Sequence, residues 1–272
     1  MRSLPALLAA LIALAGCGGA AEEAPPPVAP VQFERASADL VQHGQRLARV
    51  LGCQGCHGTD LTGEDWSEPG FGRLWTANLT RAVPRYDDRQ LAALIRGGRR
   101  PDRLLWEMPS HLFTKLAADD MTALLAFLRS RPPAGTERPA PLFEEAARRE
   151  MAAGTFKSSA AQAGEQGERW PPDAGPEHAL GRYIVRATCA ECHGMDLRGG
   201  RPNPQAVPRP DLAVAAAYEP AAFRRLMRAG IAAGEREVGM MSEVARGRYA
   251  HFTDAEIDAV HRYLRRRADL NR

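Results

Sequence analysis

Two short stretches of this 272-residue chain place paired thiols directly before an imidazole. Residues 53–58 read CQGCHG and residues 189–194 read CAECHG, so each stretch has two cysteines separated by two residues and followed by a histidine. The chain has five cysteines, and Cys17 is therefore the one cysteine outside the two motifs. Paired cysteines can form a disulfide, bind a metal ion or attach a cofactor, and each chemistry makes a different use of the histidine.

A disulfide or a zinc site leaves part of each motif unexplained. Two intervening residues are too few for most structural disulfides, and a redox dithiol of this spacing gives the histidine no role. Two CxxC pairs can form one four-cysteine zinc site, but these pairs begin 136 positions apart, at residues 53 and 189. Covalent attachment of c-type haem uses every residue, because both thiols add to the haem vinyl groups and the adjacent imidazole binds the iron.

The motifs therefore predict two covalently attached c-type haems. The attaching thiols are those of Cys53, Cys56, Cys189 and Cys192, and the iron ligands that follow them are His57 and His193. Three or so helices in about ninety-five residues make only a small core, so we expect the porphyrin to supply the missing apolar bulk. Without haem, each copy is expected to fold poorly.

The surroundings of the two motifs repeat, which predicts two tandem domains. A helical pattern precedes each motif, and a second one follows it in PRYDDRQLAALIRGG and AAYEPAAFRRLMRAG. A stronger helix closes each copy. Its apolar residues are Met121, Leu124, Leu125 and Leu128 in the first copy and Ile257, Val260 and Leu264 in the second, where Thr253 and Glu256 form a capping-box pattern. We expect an all-α fold with a few helices around each haem.

Each half resembles a class I cytochrome c domain, and the pair resembles a dihaem cytochrome c of the bacterial lipoprotein type. The resemblance covers residues 36–133 and 175–270. It implies that the first and last helices of each domain cross at a glycine and an aromatic residue. The matching pairs are Gly44 with Phe127 and Gly181 with Tyr263. It also implies that ANLT, residues 77–80, lines the haem edge, with RPDLA, residues 209–213, as the less similar counterpart.

The same resemblance implies that a methionine before the last helix supplies the sixth iron ligand. The first copy offers Met108, with His111 as the alternative ligand. The second copy has adjacent Met240 and Met241, of which the resemblance favours Met241, and His251 is a further candidate. Histidine and methionine together fill both faces of the iron, and the soft thioether favours the reduced state. Such an iron transfers electrons without binding oxygen or peroxide.

The N-terminus, MRSLPALLAALIALAGC, is typical of an export signal and is too short to span a membrane. Its end, LAGC, resembles the lipobox of bacterial lipoproteins, which implies removal of residues 1–16 and a lipid on Cys17; an ordinary signal with a leftover cysteine is the alternative. The composition of residues 17–35 predicts an Ala/Pro-rich tether. That of residues 134–174 predicts an interdomain linker with a short helix. We expect a protein on the periplasmic face, anchored to a membrane through Cys17.

The formal net charge of +3 favours no particular partner, although Arg73, Arg99 and Arg100 are candidates either to bind haem propionates or to face an acidic redox partner. The sequence contains no glycine-rich phosphate loop, nucleic-acid motif or nucleophile arrangement. We expect an electron-transfer protein and not an enzyme, either a carrier or the cytochrome subunit of a respiratory or dehydrogenase complex. Its partners would be a dehydrogenase, a quinol-oxidising complex, an oxidase or another cytochrome, with no small-molecule substrate.

The alternative function is a dihaem peroxidase, which also has two CxxCH motifs in two similar domains. A peroxidase needs one iron with an open coordination position, whereas both copies here offer a methionine.

Overall fold

The structure is a computed structural model in which residues 31–201 and 206–270 are described. The predicted export signal at 1–16, the lipidation site Cys17 and the tether as far as residue 30 lie outside the described residues. Among those residues, helices predominate and each strand is only two residues long, which agrees with the predicted all-α class. No helix in the same part of the chain is long and apolar enough to cross a membrane.

The first half consists of helices joined by loops. Its elements are α1 (Leu40–Val50), α2 (Cys53–His57), β1 (Gly72–Arg73), α3 (Leu79–Ala82), a 3₁₀ turn (Val83–Arg85), α4 (Asp88–Gly97), α5 (Ser110–Phe113) and α6 (Ala118–Arg129). The Asp39 carboxylate caps α1 by accepting hydrogen bonds from the backbone N–H groups of Val41 and Gln42. A reciprocal capping box of Asp87 and Gln90 begins α4.

Residues 134–174 contain two helices and a strand, where the sequence predicted one short helix in a linker. The elements are β2 (Leu142–Phe143), α7 (Glu145–Ala153) and α8 (Ser159–Gln166). β2 pairs antiparallel with β1, and α8 packs against α4 and α5 of the first half. Phe143 and Phe156 both contact the Trp106 ring, with centroids 4.9 Å apart in each pair. This segment therefore covers the first half.

The second half repeats the helical plan of the first. Its elements are a 3₁₀ turn (Pro176–His178), α9 (Ala179–Ala187), α10 (Ala190–His193), a 3₁₀ helix (Leu212–Ala217), α11 (Pro220–Ala229), β3 (Ile231–Ala232), β4 (Arg236–Glu237), α12 (Met240–Gly247), a 3₁₀ turn (Tyr249–His251) and α13 (Asp254–Leu270). The predicted capping box of α13 is confirmed, because the Glu256 N–H donates to Thr253 Oγ1 and the Thr253 N–H donates to Glu256 Oε2.

In both halves the first and last helices cross at the predicted glycine. A Cβ at Gly44 of α1 would overlap backbone and side-chain atoms of α6, among them the Cβ of Phe127. A Cβ at Gly181 of α9 would overlap α13 in the same way, at the Cβ of Tyr263. Glycine is therefore required for this close approach. The apolar stripes predicted for α6 and α13 are buried at these crossings.

The two halves contact each other through buried polar groups. Arg46 of α1 forms an ion pair with the fully buried Glu256 of α13, with 2.7 Å between Nη1 and Oε2. The Tyr183 hydroxyl of α9 donates to Asp120 Oδ2 of α6 at 2.6 Å. Removing one partner of a buried pair lowers the stability of the fold, because the other group is left buried without a partner. These contacts place both halves in one unit, which begins at Val31.

The last residues of the predicted tether belong to this unit. Phe33 is 1% exposed, and its ring packs against Tyr183 with centroids 5.5 Å apart. Its backbone N–H donates to Asp120 Oδ2 at 3.0 Å. Phe33, within the segment predicted as a tether, is therefore part of the packed structure. Sequence composition could not reveal this, because one buried aromatic is a weak signal in an Ala/Pro-rich segment.

Candidate haem-binding sites

The first motif forms helix α2, so Cys53, Cys56 and His57 lie on about one turn of backbone. The His57 Nδ1–H donates a hydrogen bond of 2.9 Å to the carbonyl oxygen of Ala77. This bond fixes the ring orientation and leaves Nε2 to bind a metal. Burial lowers the pKa of His57, while the bond to Ala77 acts in the opposite direction. The ring is therefore neutral near pH 7, as a metal ligand must be.

The second motif has the same arrangement. Its histidine, His193, ends α10 and is nearly buried, and its Nδ1–H donates to the carbonyl oxygen of Pro210 at 2.9 Å. Burial again lowers the pKa of this histidine. Pro210 lies in the RPDLA segment and Ala77 in the ANLT segment. The two segments therefore supply equivalent hydrogen-bond acceptors to the histidines despite their different sequences.

The turn after each motif is also repeated. Leu61 and Leu197 have positive φ angles of 64° and 61°, which are unusual for a residue with a branched side chain, and both are buried. The carbonyl oxygens of these leucines accept hydrogen bonds from the N–H groups of Leu79 and Leu212, at 2.8 and 2.9 Å. The two halves therefore share a specific backbone turn as well as a motif.

A large cavity lies against the first motif and brings together its predicted attachment and ligand residues. Cys53, Cys56, His57 and Met108 all line it. Its empty space, counted together with the open solvent at its mouth, is about 1560 Å³. Most other lining side chains are apolar. Two thiols, an imidazole and a thioether around one apolar cavity fit a c-type haem.

Other walls of the cavity test further predictions. Ala77 and Leu79 line it, as expected for the ANLT segment. Two guanidinium groups border it, those of Arg100 and Arg103, whereas Arg73 and Arg99 do not. Arg103 could not be predicted from the sequence, because only the folded loop brings it to the cavity wall.

Met108 is held in the cavity wall by a residue far along the chain. The Met108 N–H donates to Ser159 Oγ of α8 at 3.1 Å, and the Ser159 N–H donates to the Leu105 carbonyl oxygen at 2.9 Å. Ser159 is fully buried. The alternative ligand His111 lies in α5 and is not part of the cavity wall, which favours Met108. Sequence reasoning missed Ser159, because its contacts with Met108 and Leu105 form only once the chain has folded.

In the second half, the two candidate methionines differ in burial. Met240 is 66% exposed, whereas Met241 is partly buried and packs against the hydrophobic core. Both lie in the first turn of α12 and not in a loop as expected. The next residue, Ser242, is fully buried; its hydroxyl donates to the Gly230 carbonyl oxygen at 2.5 Å and accepts from the Val238 N–H at 2.8 Å. The burial favours Met241.

The alternatives of disulfide and zinc find no support in the described part of the chain. The thiols of Cys53, Cys56, Cys189 and Cys192 are unbridged. No group of three or more His, Cys, Asp or Glu side chains within residues 31–201 and 206–270 is placed to hold a metal ion. The two CxxC pairs thus do not converge on one four-cysteine site.

Residues 178–268 match the protein-family model described as Cytochrome c. This segment is a cytochrome c domain. The domain contains the second motif, Pro210 and Met241, so the geometry described for the second half is that of a c-type cytochrome. Membership of this family implies a covalently bound haem iron and electron transfer. No curated protein matches the chain.

Proposed function

We propose that the chain is an exported dihaem c-type cytochrome that transfers electrons between redox proteins. The observation that carries the proposal is the repeated site geometry. In each half, a histidine after two cysteines donates through Nδ1 to a backbone carbonyl oxygen at 2.9 Å. One half is a cytochrome c domain, and the other shares its helix crossing and its strained turn, which supports a second domain of the same kind at residues 36–133.

In this proposal, each half holds one haem through the thiols and histidine of its motif. Haem iron supplies a one-electron couple. His57 and Met108 would bind the iron in the first half, and His193 and Met241 in the second. The apolar walls exclude water and so protect the iron from other ligands. A thioether ligand favours the reduced iron and raises the potential, which suits an electron carrier.

Haem content tests the proposal directly. We expect two covalently bound haems per chain, measured by pyridine haemochrome absorbance and by the mass of the intact protein. The double variant C189A/C192A removes the attachment site in the identified domain and is expected to retain one haem. The matched double variant C53A/C56A is also expected to retain one. A wild-type protein with a single haem would contradict the dihaem proposal and leave a monohaem cytochrome.

We also propose that Cys17 carries a lipid that anchors the protein on the periplasmic face of a membrane. The support comes from the sequence, namely the predicted export signal and the string LAGC that ends at Cys17. A protein held at the membrane could exchange electrons with a membrane-bound complex, either as a free carrier or as its subunit. C17S should move the protein from the membrane fraction to the soluble fraction. If C17S stays in the membrane fraction to the same extent, the anchor is not Cys17.

A further inference from the structure

An ion pair of Arg248 and Glu191 lies next to both haem-binding motifs. Arg248 follows α12, and its Nη1 contacts Glu191 Oε2 at 2.7 Å. Glu191 is a residue of the second motif, between Cys189 and Cys192. The Arg248 and Glu191 side chains are 15% and 28% exposed, so most of both is shielded from solvent. The charges therefore interact more strongly with their surroundings than they would on an open surface.

The same two residues also touch the first motif. Arg248 Nε donates to the carbonyl oxygen of Val50 at 3.3 Å, at the end of α1. A Cβ at Gly52, the residue before Cys53, would lie 2.7 Å from the Arg248 Cζ. Glu191 lines the cavity of the first half, as do the cysteines of the first motif. The pair thus belongs structurally to both motifs.

Arg248 lies close to the cysteines of both motifs, because it is beside Gly52, the residue before Cys53, and pairs with Glu191, which lies between Cys189 and Cys192. Any haem attached to these cysteines is bonded to their sulfur atoms. A haem in either half therefore lies within the field of one guanidinium and one carboxylate.

We propose that Arg248 and Glu191 form a charge pair shared by the two haem sites, which shifts both reduction potentials together. The inference rests on the proposed dihaem function. A positive charge near a haem favours the reduced iron, and a negative charge favours the oxidised iron. Because the pair is nearly neutral as a whole, removing either partner exposes both haems to the uncompensated charge of the other. Neither Arg248 nor Glu191 binds iron, so both act on the haems only through their charges.

The pair predicts shifts of opposite sign for its two members. R248Q leaves the Glu191 carboxylate unpaired, so both midpoint potentials should fall. E191Q leaves the guanidinium unpaired, so both potentials should rise. The double variant R248Q/E191Q removes both charges and should return both potentials close to the wild-type values. A purely structural role would instead make the double variant at least as disturbed as either single variant.

Spectroelectrochemical titration of the purified holoprotein tests the proposal, after its haem content has been counted. R248K keeps the charge and should shift the potentials less than R248Q. The matched control is R246Q, because Arg246 lies two residues earlier, is 42% exposed and pairs with Glu237; it should leave both potentials unchanged. If R248Q impairs haem incorporation, E191Q and R248K still decide the matter.

The outcomes separate this inference from the proposed function. A protein with two haems in which R248Q and E191Q move only one potential, move both the same way, or act no differently from R246Q would overturn the shared pair alone. A protein with one haem would overturn the dihaem function and the shared pair together.

Discussion

A fully buried serine lies near each candidate methionine ligand, but the two serines come from different parts of the sequence and make different hydrogen bonds. In the second half, Ser242 directly follows Met241 and ties α12 to Gly230. In the first half, the serine that binds the methionine backbone is Ser159, 51 residues after Met108. Segment 134–174 therefore supplies a buried serine to the first half, whereas the second half has its buried serine in its own α12. Two halves with the same order of helices can thus take a buried serine from different parts of the chain.

A second pair of equivalent residues shows the same division. In the ANLT segment, Asn78 Nδ2 donates to the carbonyl oxygens of Ala134 and Thr136, at 2.8 and 2.9 Å. In the RPDLA segment, Asp211 accepts instead from Arg267 Nη1 of the last helix at 2.7 Å. Asn78 of the first half thus binds the segment that follows that half, whereas Asp211 of the second half binds the last helix of its own half.

The largest contrast between the halves should come from removing one thioether at a time. Leucine nearly conserves the volume of methionine, so M108L and M241L should cost less than about 1.5 kcal/mol of stability while removing the sulfur. Each variant should lower the potential of one haem and let that haem alone bind carbon monoxide when reduced. M240L is the matched control for M241L, and it should change neither property.

If M240L and M241L exchange these results, Met240 is the ligand of the second half. If M108L leaves the spectrum and both potentials unchanged, the ligand of the first half is another residue, and H111Q would be measured next.

A smaller effect is expected from the two serines that brace these methionines. S159A removes the acceptor for the Met108 N–H, and S242A removes the partner of Val238 and Gly230. Each should destabilise the holoprotein by about 1–3 kcal/mol in denaturant titrations, because buried polar groups lose their partners. S159A should alter the potential of the first haem and S242A that of the second. If S159A changes the reduction potential of the second haem, the assignment of Ser159 to the first site and Ser242 to the second is contradicted.

The sequence predicted what depends on local pattern. The two motifs, the buried stripe of α6, the capping box of α13 and the crossings at Gly44 and Gly181 all depend on spacing within one helix or on recognised helix pairs. Ser159 and Arg248 could not be predicted in the same way, because their roles arise from contacts with residues 51 and 57 positions away. Such contacts exist only once the chain has folded.

The smallest expected effect concerns a difference between the first helices. His43 precedes Gly44 and is 4% exposed, whereas Leu180 precedes Gly181 in the second half. Burial, aided by Arg46 and Arg35, lowers the pKa of His43 to about 4. The unfolded chain binds a proton near pH 6.5 that the folded chain does not, so stability should fall as the pH drops from about 6.5 towards 4.

H43L, which copies the second half, should remove this loss. The difference between the wild type and H43L in free energy of unfolding should grow by about 1 kcal/mol between pH 7.5 and pH 5.5. Parallel pH profiles for the two proteins would show that the buried imidazole does not titrate in this way.

The central claim is that each half holds a haem whose iron is bound by a histidine and a methionine. The most direct test is the optical response of the fully reduced holoprotein to carbon monoxide. The account predicts no rapid change at either haem, because both irons already have six ligands. Prompt binding at one haem of the wild-type protein would contradict it, since an open iron is what a dihaem peroxidase requires.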